Sequence, residues 1–243
     1  MNVAIIGSGS WATALAKIVM HNAPDINWYI RKQETIDEFI EIRRNPNHLE
    51  WAYFDVSRIH FSADINAVIE QSDLLVLAVP SPYLKQSLND IKVDMSQKMV
   101  ISAVKGMIPD ENLLVTEYMH KHFNVPVENP GVIAGPCHAE EIALERLSYL
   151  TVGCKDMNKA IEWSKLFDTP YVRTTPSNDV EGLEYASVMK NIYAIAADIC
   201  KSLHYGDNFQ AVLLTNAMHE MIRFTKAKAD IQRDITDSGY LGD

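Results

Sequence analysis

The 243 residues carry 47% hydrophobic and 22% charged side chains. That ordinary globular mixture excludes an intrinsically disordered chain, which could not bury enough apolar surface to offset its entropy. Twenty-two basic against 32 acidic residues leave a formal charge of −10, which argues against general affinity for nucleic acid, whose phosphates need clustered Lys and Arg.

In chain order, Val3–Ile6 reads as a strand and Ala12–His21 as a helix, and Ile26–Ile30 and Glu34–Arg43 repeat the alternation. Ile65–Gln71 is helical, Asp73–Val79 and Met99–Val104 are strand-like, Asn112–Lys121 is helical and Gly131–Ala134 is strand-like again. Several of these strands are apolar nearly throughout, as a sheet covered by helices on both faces requires. Tyr149–Gly153 and Tyr171–Thr174 are further strand candidates flanking a helix over Lys159–Phe167. From Asp179 to Ala229 only a helical pattern remains, interrupted once at Gly206-Asp207, and Ser177, Asn178 and Asp179 offer N-cap chemistry at its start. The prediction is an α/β chain: a doubly wound, mostly parallel sheet over residues 1–178, then an all-helical second domain over 179–243. The second part is small for a core of its own, so it is expected to be incomplete or to need a partner chain.

Cys137, Cys154 and Cys200 are odd in number and lack metal-ligand spacing, so they read as reduced thiols of a cytoplasmic protein, and no metal is expected. No run is apolar enough to span a bilayer, and the N-terminus lacks the basic start and long apolar stretch of a signal peptide.

G-S-G-S-W-A, Gly7 to Ala12, follows the first strand and opens a helix. Gly7 permits the tight turn, Gly9 lets the backbone approach a pyrophosphate, and Ala12 is small enough for close helix–sheet packing. The helix N-terminus offers free N–H groups and a positive dipole end to phosphates. In this context the motif predicts a Rossmann-type site for NAD or NADP. The second strand ends in Arg31 and Lys32 with no acid before Glu34. Arg31 suits a 2′-phosphate or a stacking contact with adenine, which leaves the choice of dinucleotide open. In V-P-S-P-Y-L, Ser81 suits an N-cap and Pro82 the first helical position. Val79 and Pro80 fall at the carboxyl end of a strand, where this fold places its ligands.

Three segments bring polar chemistry to that edge. S-A-V-K-G ends a strand with Lys105, and A-G-P-C-H-A-E-E ends another and starts a helix. In the first helix of the second domain, Glu184, Ser187, Lys190, Asn191 and Asp198 share one face by three-and-four spacing, while Leu183, Val188, Ile192, Ile195 and Ile199 lie largely off it. A helix otherwise so apolar is expected to pack inside, where a stripe containing Lys is costly unless it lines a cleft. A desolvated Lys near another cation has a lowered pKa and acts as a general base. Lys190 suits that role toward a secondary alcohol beside a nicotinamide ring, and Lys105 would supply charge for an anionic substrate group. His120 and His122 diverge at i, i+2 spacing, and Met189, Met218 and Met221 read as core packing.

Assembled, the chain resembles bacterial NAD(P)-dependent glycerol-3-phosphate dehydrogenase. The resemblance rests on G-S-G-S-W-A-T-A-L-A, R-R-N-P-N-H-L, V-P-S-P-Y-L, S-A-V-K-G-M, A-G-P-C-H-A-E-E, E-Y-A-S-V-M-K-N-I-Y-A-I-A-A-D and H-Y-G-D-N, in that order. It implies hydride transfer between NAD(P)H and dihydroxyacetone phosphate to give sn-glycerol 3-phosphate, a precursor in glycerophospholipid synthesis. It also implies a cytoplasmic homodimer. Gly7, Gly9, Ser10, Trp11, Arg31, Pro80, Lys105 and Ala139 fall at cofactor positions. Lys105, Gly135, Cys137, Lys190 and Asp243 fall at substrate positions, with Lys190 as proton acceptor and Asn191 beside it. Cys137 stands where the family often has Ser or Thr, and His138 where Phe is common. The family continues past the aspartate matched by Asp243 with a Ser-Arg-Asn segment that grips substrate phosphate and cofactor. The resemblance therefore implies a truncated chain in which cofactor binding survives better than turnover. A sister 3-hydroxyacid dehydrogenase and a non-catalytic dinucleotide-binding module are the competing readings.

Overall fold

The computed structural model describes residues 1–240. Its first half alternates β1 (Val3–Ile6), α1 (Ser10–Asn22), β2 (Ile26–Tyr29), α2 (Gln33–Ile42), β3 (Ile59–Ser62), α3 (Ile65–Glu70), β4 (Leu74–Leu77), α4 (Ser81–Leu88) and β5 (Met99–Ser102). It continues through α5 (Val115–Phe123), β6 (Pro130–Ala134), α6 (Ala139–Ala143), β7 (Ser148–Cys154), α7 (Met157–Phe167) and β8 (Val172–Ser177). Two long helices, α8 (Val180–Ser202) and α9 (Asp207–Lys228), follow.

The eight strands form one sheet in the order β3-β2-β1-β4-β5-β6-β7-β8. All neighbours pair parallel except β6 and β7, which run antiparallel. Chain order reverses between β1 and β4, and such a switch point opens a crevice at the carboxyl ends of the strands. The apolar strands VAII of β1 and LLVL of β4 are buried at every residue. One face packs under α1, α2, α6 and α7 around Trp28, Phe39, Trp163 and Phe167. The other packs under α3, α4 and α5 around Leu77, Leu84, Val115 and Met119. A third cluster joins Val132 and Ala134 of β6 to Leu183, Ala186 and Met189 of α8 and to Met221, Ile235 and Tyr240.

Several boundaries differ from expectation. β3 carries no apolar run in I-H-F-S, since it is an edge strand with one buried residue. The helix expected from Asn112 begins at Val115, because Asn112 takes a left-handed φ of 53°. Ser81 is the first helical residue of α4 and Pro80 takes the cap position. Asp179 is the cap of α8 and accepts from Gly182 N at 3.1 Å. α8 departs further from the expected packing. Its first turns are buried, Glu184 and Ser187 included, whereas Ile192, Ile195 and Ile199 are 59%, 62% and 55% exposed. The helix leaves the sheet after Lys190. α9 then returns along a different face through Ala217, Met221 and the Tyr185–Phe224 ring pair, so those isoleucines face away from both. Among the described residues, no helix is long and apolar enough to cross a membrane.

Candidate dinucleotide cleft and active site

A cleft of about 280 Å³ opens at the switch point. Gly7, Ser8 and Gly9 line it from the turn after β1, Tyr29 and Arg31 from β2, and Ala78, Val79, Pro80 and Tyr83 from β4 and α4. Gly7 holds φ +128°, and a Cβ there would lie 2.4 Å from the Ala78 carbonyl oxygen, so β1 and β4 can approach this closely only at glycine. Gly9 is different: it is extended, and a Cβ would meet nothing within 4 Å. Its glycine leaves room in front of α1 rather than relieving strain. α1 has no side-chain cap and no acidic residue in its first turn. Its unsatisfied N–H groups and positive dipole end therefore face open space. That arrangement fits the diphosphate of a dinucleotide, with Arg31 on the β2 side of the same cleft.

The turn is held from outside by residues that the motif does not contain. Asn45 donates from Nδ2 to the Ser8 carbonyl at 2.9 Å and to the Thr13 hydroxyl at 2.8 Å. Trp28 Nε1 donates to the Gly7 carbonyl at 2.7 Å. His48 Nδ1 and Ser10 Oγ are 3.2 Å apart. The segment R-R-N-P-N-H-L thus folds over the glycine turn, a physical reason for its presence that spacing alone did not reveal.

Other expected site residues do not line this cleft. Ser10 opens α1, Trp11 packs against the apolar cluster under that helix, and Ala139 opens α6 within the same cluster. Lys105 is exposed just past β5, where the Gly106 backbone (φ +143°) comes close to Ser81. Gly135 also has a positive φ of 129° and is pressed against the Tyr149 carbonyl. Cys137 is buried, with Sγ 3.1 Å from that carbonyl. His138 is exposed.

Lys190 lines a second cavity, of about 350 Å³, between α8 and α9, with Tyr193, Ala197, Met218, Met221 and Tyr240. It is half-buried and donates from Nζ to the Gly239 carbonyl at 3.2 Å. No residue lines both this cavity and the glycine cleft, so the described residues do not enclose Lys190 and the glycine turn in one pocket. Asn191 is exposed. Asp243 lies outside the described residues. Glu184 is fully buried and accepts from the backbone N–H of Thr116 at 3.3 Å and from its hydroxyl. Burial raises its carboxyl to about 8 despite those bonds. His120 and His122 diverge, toward the Val125 carbonyl and Glu111 respectively. Among the described residues, no group of three His, Cys, Asp or Glu is placed to hold a metal ion.

Residues 2–160 match the family model described as NAD-dependent glycerol-3-phosphate dehydrogenase N-terminus, and residues 179–243 match its C-terminus counterpart. A glycerol-3-phosphate dehydrogenase, NAD(P)+, of an Exiguobacterium strain is 31% identical over 224 residues, covering 91% of this chain and 65% of that protein. One from Staphylococcus epidermidis is 30% identical over 243 residues, covering 99% of this chain and 73% of its own length. The chain thus spans about two thirds of the length of these curated relatives. Among solved structures, Plasmodium falciparum glycerol-3-phosphate dehydrogenase superposes with a TM-score of 0.88 at 27% identity, over 99% of this chain and 70% of that one.

Proposed function

The chain belongs to the NAD-dependent glycerol-3-phosphate dehydrogenase family, and from that premise we propose that it interconverts dihydroxyacetone phosphate and sn-glycerol 3-phosphate, with NADH or NADPH as cofactor. The observation that carries the reading is the glycine cleft. An uncapped helix end and an open approach at Gly9 face one volume, as a bound diphosphate requires, and Arg31 lines its β2 side, where the adenosine would lie.

When bound, the reduced nicotinamide supplies the hydride. In this reading Gly7, Gly9, Ser10, Trp11, Arg31, Pro80, Lys105 and Ala139 hold the dinucleotide. Lys105, Gly135, Cys137 and Asp243 serve the phosphate-bearing substrate. Lys190 gives a proton from Nζ to the carbonyl oxygen that becomes the new hydroxyl, and takes one back in the oxidative direction. Asn191 stands beside it on α8. Its half-buried position and the Gly239 carbonyl bond support Lys190, since a proton-transferring amine must be held in place. We divide the chain at residue 178, between the end of β8 and the cap of α8. We also assign it to the cytoplasm, and we read it as a homodimer, which the exposed apolar side chains of α8 and α9 support.

The test is absorbance of the reduced nicotinamide on addition of dihydroxyacetone phosphate, with both cofactors. Consumption that Lys190→Ala abolishes, with cofactor affinity retained, is the expected result. Consumption with a 3-hydroxy acid's oxo form but not the phosphate would favour the sister enzyme. Binding without consumption would favour a non-catalytic module.

A further inference from the structure

The proposed reaction leaves unused a buried ionic cluster at the foot of α8. The Asp179 carboxylate, besides capping the helix, accepts from Arg233 Nη2 at 2.8 Å and from the Tyr240 hydroxyl at 2.6 Å, and Arg233 Nε closes the fork on its other oxygen. The Asp179 and Arg233 side chains are 4% and 6% exposed. Arg233 also donates from Nη1 to the Ala229 carbonyl at 2.7 Å. The cluster folds the segment after α9 back onto the start of α8.

A buried ion pair adds little net stability over an apolar contact, because desolvation offsets its attraction. What this one contributes is direction, through a planar fork and a hydroxyl aimed at one carboxylate. The residue before Tyr240 shows the effect. Gly239 is pressed so close to α8 and β7 that a Cβ would lie 2.6 Å from Leu183 Cδ2 and 2.9 Å from Thr151 Oγ1. From that position its carbonyl accepts from Lys190.

We propose that Arg233 and Tyr240 are positioning residues. By clamping Asp179 they hold the Gly239 carbonyl against Lys190 and so fix where the Lys190 amine sits. Its consequence for catalysis rests on the reading of Lys190 as proton donor, whereas the clamp itself does not.

The experiment therefore has two readouts. In the first, the 243-residue chain is treated briefly with acetic anhydride, and acetylation of Lys190 relative to the exposed Lys201 is measured by peptide mass spectrometry. Tyr240→Phe keeps the ring and removes the hydroxyl. It should raise relative labelling of Lys190 at least about threefold, as expected when a local closed state opens. Arg233→Met should do the same, Arg233→Lys should restore part of the protection, and Thr236→Ala, outside the cluster, should leave labelling unchanged. Unchanged labelling of Lys190 in both Tyr240→Phe and Arg233→Met overturns the clamp. In the second readout, Tyr240→Phe should lower kcat about tenfold with KM and cofactor affinity within twofold, as for a misplaced catalytic group. A wild-type kcat in Tyr240→Phe, or a loss carried by KM instead of kcat, overturns the positioning role. If Lys190→Ala keeps a wild-type rate, the proton-donor reading fails, and the labelling result still decides the clamp.

Discussion

Asn45 and Ser8 are 37 residues apart, yet the Asn45 amide reaches the Ser8 carbonyl at 2.9 Å while its second hydrogen bond takes the Thr13 hydroxyl. One side chain, 2% exposed, thus sets the path of the glycine turn and anchors the first turn of α1. Truncation in Asn45→Ala leaves the half-buried Ser8 carbonyl and the buried Thr13 hydroxyl short of their donor, which costs about 1–3 kcal/mol. In a chain of this size that lowers Tm by roughly 2–4 °C per kcal/mol. Dinucleotide affinity should fall about tenfold as the loop loosens, since misplaced binding groups lose their preorganisation. Differential scanning calorimetry and a fluorescence titration check both, and wild-type affinity in this variant would remove Asn45 from the site.

The two glycines of the turn should separate stability from binding. Gly7→Ala places a methyl group 2.4 Å from the Ala78 carbonyl oxygen at φ +128°, so the variant should unfold several degrees earlier with or without cofactor. Gly9→Val adds side-chain atoms where a Cβ has open space and φ is already extended. Its melting temperature should stay close to wild type, while NADH and NADPH affinity should fall at least about tenfold, because the added bulk fills the approach to the helix end. Equal melting and equal affinity for Gly9→Val would show that the diphosphate lies elsewhere.

The alternation of strands and helices was legible because a sheet covered on both faces needs continuous apolar strands, and β1 and β4 supply them in four residues each. β3 was not, since an edge strand buries little and its I-H-F-S has no pattern to read. The glycine turn was legible from G-x-G-x-x-A, but its external supports were not. Trp28 and Asn45 act through long-range hydrogen bonds, Trp28 to the Gly7 carbonyl and Asn45 to the Ser8 carbonyl and the Thr13 hydroxyl, and no local periodicity encodes such bonds. The covered face of α8 is not encoded locally either. Three-and-four spacing showed a polar and an apolar side, but which side is covered depends on where α9 returns, and Ile192 and Ile195 turned out to be outside. The buried salt bridge of Asp179 with Arg233 had no signal in the sequence beyond the cap itself.

Arg31 lines the cleft at the end of β2 and is exposed there, the position from which a side chain meets the adenosine ribose. An arginine can pair with a 2′-phosphate in a bidentate way, and a carboxylate would repel it. Arg31→Glu should therefore weaken NADPH binding at least about tenfold more than NADH binding. Isothermal titration with each cofactor measures the ratio. Equal losses for both would mean that Arg31 stacks on adenine and ignores the 2′ position.

Glu184 makes stability depend on pH in a direction opposite to that of most carboxylates. Buried against α5 and bonded to Thr116, its carboxyl is raised to about 8 in the folded chain by desolvation, with Glu117 and Glu181 adding to the rise. Unfolding returns it to the ordinary carboxylate range near 4.5. Between those two values the folded chain holds a proton that the unfolded chain has released, so stability falls as pH rises. The contribution is complete below about pH 4.5 and is lost at about 1.4 kcal/mol per pH unit until the folded carboxyl ionises. Glu184→Gln keeps the shape and a carbonyl acceptor for Thr116 and removes the titration. Measured by urea unfolding from pH 5 to pH 8, the wild-type chain should lose stability relative to Glu184→Gln, and the variant should be the more stable of the two at pH 8. Titrating groups remote from Glu184 are common to both chains and cancel in the difference. A difference that stays flat across this window would mean that Glu184 is ionised in the folded protein and that the Thr116 N–H and hydroxyl suffice to hold its charge.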